Sequence, residues 1–282
     1  MALGVLIVIC ITLSALICAA AGAFTGLAWI WALPVGTLGC FIAAAGLLFL
    51  LAWFMGLAVD PSKPQEKDDP FYRAVVYLII ALARPLLRIR VHTTGMEKVP
   101  RDGRILLVCN HLDNLDPVLL LYYFRSKQLA FISKRENATM FLVGKLMHKL
   151  LCQLINREND REALKTILKC VQILKDDLAS IAVFPEGYTS VDGLLHPFRH
   201  GVFKIAQKAQ VPIVVCTLKN TQYGFHNAKR LKPTDVYLDV VGVIPPEEIQ
   251  GVTAVQVGTR VHKMMADNLG PQLVLPETQE NP

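Results

Sequence analysis

The chain has 282 residues, with 29 Lys and Arg against 23 Asp and Glu and a formal net charge of +6. That length leaves room for one α/β core besides an anchor. The basic excess is modest and lacks dense Lys/Arg clusters interleaved with aromatics, which excludes a nucleic-acid partner and favours anionic lipid headgroups or anionic substrates. Seven cysteines, an odd number with no Cys-x-x-Cys, read as small apolar residues in a reducing compartment and not as a disulfide framework.

Taken in chain order, no charged side chain precedes Asp60. Met1 to Ala23 and Pro34 to Val59 are both apolar and reach the roughly 20 residues a helix needs to cross a bilayer. Trp29 and Trp31 between them, and Trp53-Phe54 beyond, sit where interfacial aromatic belts fall. Gly22, Gly26, Gly36, Ala43 and Gly46 are small enough to let two helices pack closely. The first basic residues, Lys63, Lys67 and Arg73, follow the second segment. The positive-inside rule therefore puts the N-terminus and the large domain on the cytoplasmic face, at the cell inner membrane. A re-entrant hairpin in one leaflet keeps the domain on that face too. A cleaved signal peptide ending near Ala19-Ala20-Ala21 lacks its basic leader and is followed by a second apolar segment.

Residues 60–69 form a Pro- and charge-rich linker between the hairpin of residues 1–59 and a very apolar helix over 70–88. Arg73, Tyr77, Arg84 and Arg88 recur on that helix at helical spacing. Either the helix lies in the headgroup plane with its arginines at phosphates, or it packs on the core with a solvated arginine edge. Pro85 is expected to kink or end it.

Residues 89–270 then alternate strands and helices. Strands are expected at 88–94, 105–108, 130–133, 153–155, 181–184, 211–217 and 236–244, and helices at 117–124, 138–151, 201–209 and 253–268. Asn159 and Glu162 resemble a capping box for a helix whose apolar face is Leu164, Ile167, Leu168, Val171 and Leu174. The alternation indicates an α/β fold, a mostly parallel or mixed sheet with helices on both faces. Residues 271–282 read as a flexible tail.

Two polar turns follow buried strands, where such sheets place their chemistry. The first is Asn110-His111-Leu112-Asp113-Asn114-Leu115-Asp116. With Pro117 at a first helical position, Asp116 is expected to be an N-cap, a structural role compatible with a functional one. If Asp116 accepts from one imidazole nitrogen of His111, the other stays free to take a proton from a hydroxyl. His111, Asp113 and Asp116 also make a possible metal set, but further strand-end ligands are missing apart from the isolated His196, His200 and His226, so no metal is expected. The second turn is Phe184-Pro185-Glu186-Gly187: Pro185 ends the strand, Gly187 permits a tight turn, and Glu186 is left in a polar loop. Alone, that glutamate reads as a solvated turn residue.

Together these motifs resemble the glycerophospholipid acyltransferase family, most closely the 1-acyl-glycerol-3-phosphate (lysophosphatidate) acyltransferases. Four blocks match in order: Asn110-His111-x4-Asp116; Lys134 with Leu154-Ile155-Asn156-Arg157; Phe184-Pro185-Glu186-Gly187; and Val211-Pro212-Ile213-Val214. The resemblance spans roughly residues 91–243. It implies that His111 deprotonates the acceptor hydroxyl with Asp116 orienting it, and that the alkoxide attacks an acyl thioester of coenzyme A or acyl carrier protein. It implies no cofactor. Arg157 contacts the acceptor phosphate, Glu186 and Gly187 shape the acceptor pocket, and Lys134 and Lys204 assist, although a lysine like Lys204 is more often a solvated helix residue. Neither motif offers a Ser or Cys nucleophile, which agrees with direct transfer.

One departure bears on the acceptor. The family's third block usually continues Thr-Arg-Ser; here it reads Tyr188-Thr189-Ser190. A threonine hydroxyl cannot replace the bidentate bonds of a guanidinium. Either Arg157 carries the phosphate with help from Lys134, Arg199 or Lys204, or the acceptor differs, as glycerol-3-phosphate or another lysophospholipid. A non-catalytic lipid-binding protein is the rival of another class, and an intact His111/Asp116 pair argues against it.

Overall fold

The computed structural model describes residues 2–276 of the chain. It opens with two long apolar helices, α1 (Ala2–Ala20) and α2 (Trp29–Leu57), each long and apolar enough to cross a membrane. α2 starts five residues before Pro34, so Trp29 and Trp31 lie in its first turn and not in a connecting loop. Of the small residues expected to bring the helices together, Gly36 does so: a Cβ there would strike the hydroxyl of Ser14. That hydroxyl donates to the Leu33 carbonyl at 3.1 Å. Gly22, Gly26 and Gly46 face open space instead.

α3 (Pro70–Leu86) is capped by Asp69, whose carboxylate accepts from the amides of Phe71 and Tyr72, and Pro70 fills the first helical position. Pro85 sits one residue before its end. Of the expected arginine stripe, Arg73 and Arg84 turn toward the protein, whereas Arg88 is exposed beyond the end of α3. Arg73 is 3% exposed and forms a bidentate pair with Asp68 at 2.6 and 2.7 Å. It also donates to Tyr77 Oη and to the Leu129 carbonyl. Arg84 donates to Tyr123 Oη at 2.7 Å. The face left outward is apolar, with Phe71, Ala74 and Leu78 exposed, Ala81 and Pro85 half-buried, and Leu86 exposed. With its guanidinium taken up by Asp68 and the hydrocarbon of α3 outward, Arg73 does not sit at lipid phosphates. Arg73→Ala strands the buried Asp68 carboxylate, so a stability loss of about 3–5 kcal/mol is expected. Thermal unfolding in detergent should show it, and the Asp68→Ala, Arg73→Ala double variant should recover part of the loss. A single variant that melts with the parent refutes the ion pair's role.

The sheet elements follow as β1 (Ile89–Thr94), β2 (Leu106–Cys109), α4 (Leu115–Tyr123), β3 (Leu129–Lys134), α5 (Phe141–Lys149), β4 (Gln153–Ile155), α6 (Asp160–Lys175) and β5 (Ser180–Val183). Then come α7 (Lys204–Ala209), β6 (Ile213–Lys219), α8 (Gly224–Lys229), β7 (Thr234–Ile244) and α9 (Ala254–Leu269). The seven strands are ordered β1-β7-β6-β2-β5-β3-β4, and every neighbouring pair is parallel except β6 with β7. Strand side chains alternate between faces. Leu106 and Val108 join α6, α7 and α9 in one core, while Leu107 and Cys109 join α4 in the other. Met55, Tyr72, Val75 and Leu150 form a third cluster that ties α2, α3 and α5 together. The mixed α/β sheet with helices on both faces is as expected.

Four local expectations change. Asn159 does cap α6, accepting from the Glu162 amide, but the Glu162 carboxylate turns away to Arg135 and Asn156, so the box is half made. The buried face of α6 is Ile167, Cys170, Val171, Ile173 and Leu174, and Leu164 and Leu168 are exposed. α8 has no counterpart in the sequence reading. In the tail, Pro271–Leu273 forms a 3-10 turn, and Leu195 exchanges backbone hydrogen bonds with Leu273 and Leu275. Residues 277–282 lie outside the described residues.

Candidate active site

Because β2, β3, β4 and β5 run parallel, their carboxyl ends share one edge of the sheet. His111 follows β2, Glu186 follows β5, Lys134 ends β3 and Arg157 follows β4, so that edge collects four of the expected residues.

At its centre, His111 Nδ1 lies 2.8 Å from Asp116 Oδ2. The same carboxylate oxygen accepts from the amides of Leu112 at 2.6 Å and Asp113 at 2.8 Å. An oxygen already receiving two N–H bonds acts as acceptor toward the ring as well, which assigns the proton to Nδ1 and leaves the lone pair on Nε2. The Asp116 side chain is fully buried and that of His111 is 16% exposed. The imidazole stacks on Phe184, centroids 4.1 Å apart, and Phe184 stacks in turn on Phe131. Asp116 is not the N-cap that was expected. Asn114 occupies that position without a side-chain bond, and Asp116 sits in the first turn of α4, reaching back to the preceding loop.

Glu186 also differs from expectation. It is 1% exposed, not the solvated turn residue that it reads as alone. Its Oε1 accepts from the His111 amide at 2.8 Å, and its Oε2 accepts from Ser190 Oγ at 2.6 Å and from the His196 amide at 3.1 Å. The Ser190 amide closes the ring by donating to the His111 carbonyl at 2.8 Å. Burial pushes the Glu186 carboxyl above the usual glutamate range, against the pull of its three donors. One side chain thus fastens the loop after β5 to the loop after β2. Asn110 fastens the other side, exchanging two bonds with the Leu218 backbone of β6. Gly187 takes φ +85°, and a Cβ there would lie 3.0 Å from Arg199 Cδ and Nε, so glycine is what lets Arg199 pass.

Arg157 is half-buried. Burial, then the charge of Arg199, lowers its pKa, and Glu136 partly offsets the two. Lys134 is exposed, paired in register with Ile155 two residues before Arg157. Lys204 is exposed at the start of α7, and among the described residues no hydrogen bond or ion pair ties it to His111, Asp116 or Glu186. The sequence reading gave no site role to Asn110, Phe184 and Ser190. For Ser190 a signal existed in its four-residue spacing from Glu186; Phe184 was read only as the strand end, and its stacking is a tertiary fact.

This fold and this strand-edge His/Asp pair define a class, and comparison with known proteins agrees with it. The family model described as Acyltransferase matches residues 90–219. A probable 1-acyl-sn-glycerol-3-phosphate acyltransferase of Mycoplasma pneumoniae is 32% identical over 197 residues, covering 68% of this chain and 73% of that protein. The mouse 1-acyl-sn-glycerol-3-phosphate acyltransferase alpha is 28% identical over 184 residues, covering 64% of this chain and 62% of its own length. Among solved structures, the 1-acyl-sn-glycerophosphate acyltransferase PlsC of Thermotoga maritima superposes with a TM-score of 0.61 at 21% identity, over 81% of this chain and 90% of that one, a likeness of fold. The chain belongs to the glycerophospholipid acyltransferase family, in which its relatives are 1-acyl-sn-glycerol-3-phosphate acyltransferases.

Proposed function

We propose that this chain transfers a fatty acyl group from a thioester, acyl-CoA or acyl carrier protein, to the free hydroxyl of lysophosphatidate, giving phosphatidate in phospholipid biosynthesis. The observation that carries the proposal is the 2.8 Å bond from His111 to a fully buried Asp116 that two backbone amides hold in place. Nε2 of His111 takes the hydroxyl proton as the oxygen attacks the thioester carbonyl. The C–S bond breaks, and the departing thiolate recovers that proton from the imidazolium. Asp116 orients the ring and stabilises the transient charge. Arg157 and Arg199 hold the acceptor phosphate, with Lys134 at the rim; Arg199 stands in for the arginine that Thr189 replaces.

The acyltransferase unit comprises residues 89–270, carried by the hairpin of residues 1–59 through the linker of residues 60–69. α3, with its hydrocarbon face outward, is an interfacial helix buried in the membrane surface. The unit lies on the cytoplasmic face of the cell inner membrane, since Lys63 and Lys67 follow directly on α2. Both lipid substrate and product then stay in the bilayer while the thioester arrives from solution.

The deciding experiment gives the purified full-length protein one labelled acyl-CoA and a panel of acceptors: lysophosphatidate, glycerol-3-phosphate, lysophosphatidylcholine and lysophosphatidylethanolamine. Transfer to lysophosphatidate should exceed transfer to the two zwitterionic lysolipids by about tenfold or more, as expected when a charge-assisted phosphate contact is screened, while glycerol-3-phosphate keeps the phosphate and reads what the acyl chain adds. Preference for a zwitterionic acceptor would remove the two-arginine reading and leave the acyl-transfer chemistry standing.

A further inference from the structure

β7 runs antiparallel to β6, and β1 runs parallel to β7, so β1 and β7 begin at the edge where β2 and β5 end. The connection from β6 to β7, residues 220–233, therefore emerges on the same edge as His111. It is fastened there on several sides. Gly224 packs against Leu115 of α4 and Ile89 of β1, so closely that a Cβ would collide with the leucine. Arg88 Nη1 donates to the Leu231 carbonyl, and the Thr234 amide donates to the Arg88 carbonyl at 3.1 Å.

The composition of this connection is one-sided. Tyr223, Phe225 and Leu231 are exposed, Leu231 to 74%, and they stand among exposed Lys229, Arg230 and Lys232. Residues 219–234 hold no carboxylate, and the next one, Asp235, is taken up by His92 at 2.9 Å. Beside the connection, the end of α3 and the start of β1 enclose a hollow of about 490 Å³ lined by Arg84, Arg88 and Arg90 with Pro85, Ile89 and Val91. Nε of Arg84 is buried without a hydrogen-bond partner among the described residues. Aromatic and aliphatic side chains interleaved with cations, and lacking counter-charges, suit a surface that is apolar below and anionic above.

The outward stripe of α3 tells which surface that is. Phe71, Ala74 and Leu78 lead from the base of the hairpin, where Tyr72 Oη donates to the Met55 carbonyl, to Leu86 beside the arginine hollow. The apolar face that starts at the membrane helices is thus continuous with the basic patch.

We propose that the β6–β7 connection and the arginine hollow at the foot of α3 form a second bilayer-contact site that binds anionic phospholipid headgroups. Phe225, Tyr223 and Leu231 enter the acyl boundary, and the cations meet headgroup phosphates. The hairpin holds the domain at one end of α3, through Met55 and Tyr72; this second contact seats the edge bearing His111 on the bilayer. In its benefit to catalysis the proposal rests on the acyltransferase reading, but the binding itself does not.

The test reconstitutes the full-length protein in vesicles of phosphatidylcholine alone, or of phosphatidylcholine with phosphatidylglycerol, and follows amide hydrogen exchange. Residues 221–232 should exchange about threefold or more slowly on the anionic vesicles, with the difference shrinking in high salt, as expected for several basic residues at a charged surface. The Lys229→Gln, Arg230→Gln, Lys232→Gln variant should lose the difference while exchange in the central strands is unchanged. Equal exchange on both vesicles, or a variant that keeps the anionic response, overturns the proposal. Acyl transfer measured on the same samples separates the two readings: protection without transfer to any acceptor refutes the enzyme and leaves the contact site, and transfer without protection does the reverse.

Discussion

Replacing His111 with alanine lowers kcat by about 100- to 10,000-fold, the usual contribution of a positioned general base. The loss should come without unfolding. The anchoring bonds at this position belong to its backbone, the amide to Glu186 and the carbonyl to the Ser190 amide, and alanine keeps both. What disappears is the ring and its stacking on Phe184. Thermal unfolding should therefore stay close to the parent while transfer from acyl-CoA to lysophosphatidate nearly stops. Asp116→Ala provides the contrast. It removes the acceptor of the Leu112 and Asp113 amides as well as of the ring, so activity and unfolding temperature should fall together. A His111→Ala protein that transfers within a few-fold of the parent rate ends the general-base reading.

Arg157→Ala raises the KM for lysophosphatidate by about 10- to 100-fold, since a hydrogen bond to a charged group contributes roughly 1.5–3 kcal/mol and each 1.36 kcal/mol is about a decade. The free protein holds this guanidinium half-buried, with its pKa lowered by that burial and by the neighbouring charge of Arg199. In the proposed acceptor site, a phosphate at Arg157 would relieve that repulsion, a relief available only when an anion is present. Arg157→Lys should recover a fraction, because a lysine offers a point charge without the bidentate fork. kcat should change less than KM, since the contact is made to substrate and transition state alike. Kinetics with lysophosphatidate over a range of concentrations give the split; an unchanged KM removes Arg157 from the acceptor site.

The sheet was legible because its strands are buried on both faces, and such strands read as short unbroken apolar runs: Leu106–Val108, Ile181–Val183, Ile213–Cys216. The extent of α9 was legible too: a helix was expected over 253–268, and α9 runs Ala254–Leu269. What escaped depends on tertiary neighbours. Leu164 and Leu168 continue a helical apolar pattern, yet α6 turns Cys170 and Ile173 inward in their place. α8 is six residues of mixed polarity held by Gly224 packing on Leu115, with no periodicity to announce it. Arg73 looked like a membrane-facing cation because its partner, Asp68, lies in a stretch that reads as linker. The candidate site shows the same division. His111 and Asp116 could be paired from spacing, because both lie within one turn. Glu186 could not be recognised as a brace, since two of its three partners come from residues 75 and 10 positions away.

That brace has a consequence for how the two motifs can vary. Because Glu186 holds the amide of His111 and the start of the segment bearing Arg199, neither loop has an independent resting shape. A chimera that imports the Asn-His-x4-Asp turn from a distant relative, without the matching Phe-Pro-Glu-Gly turn, would inherit a base set at the wrong height above its acceptor. Tyr188, Thr189 and the side chains of the arginines make none of these bonds, so substitutions there leave the brace in place.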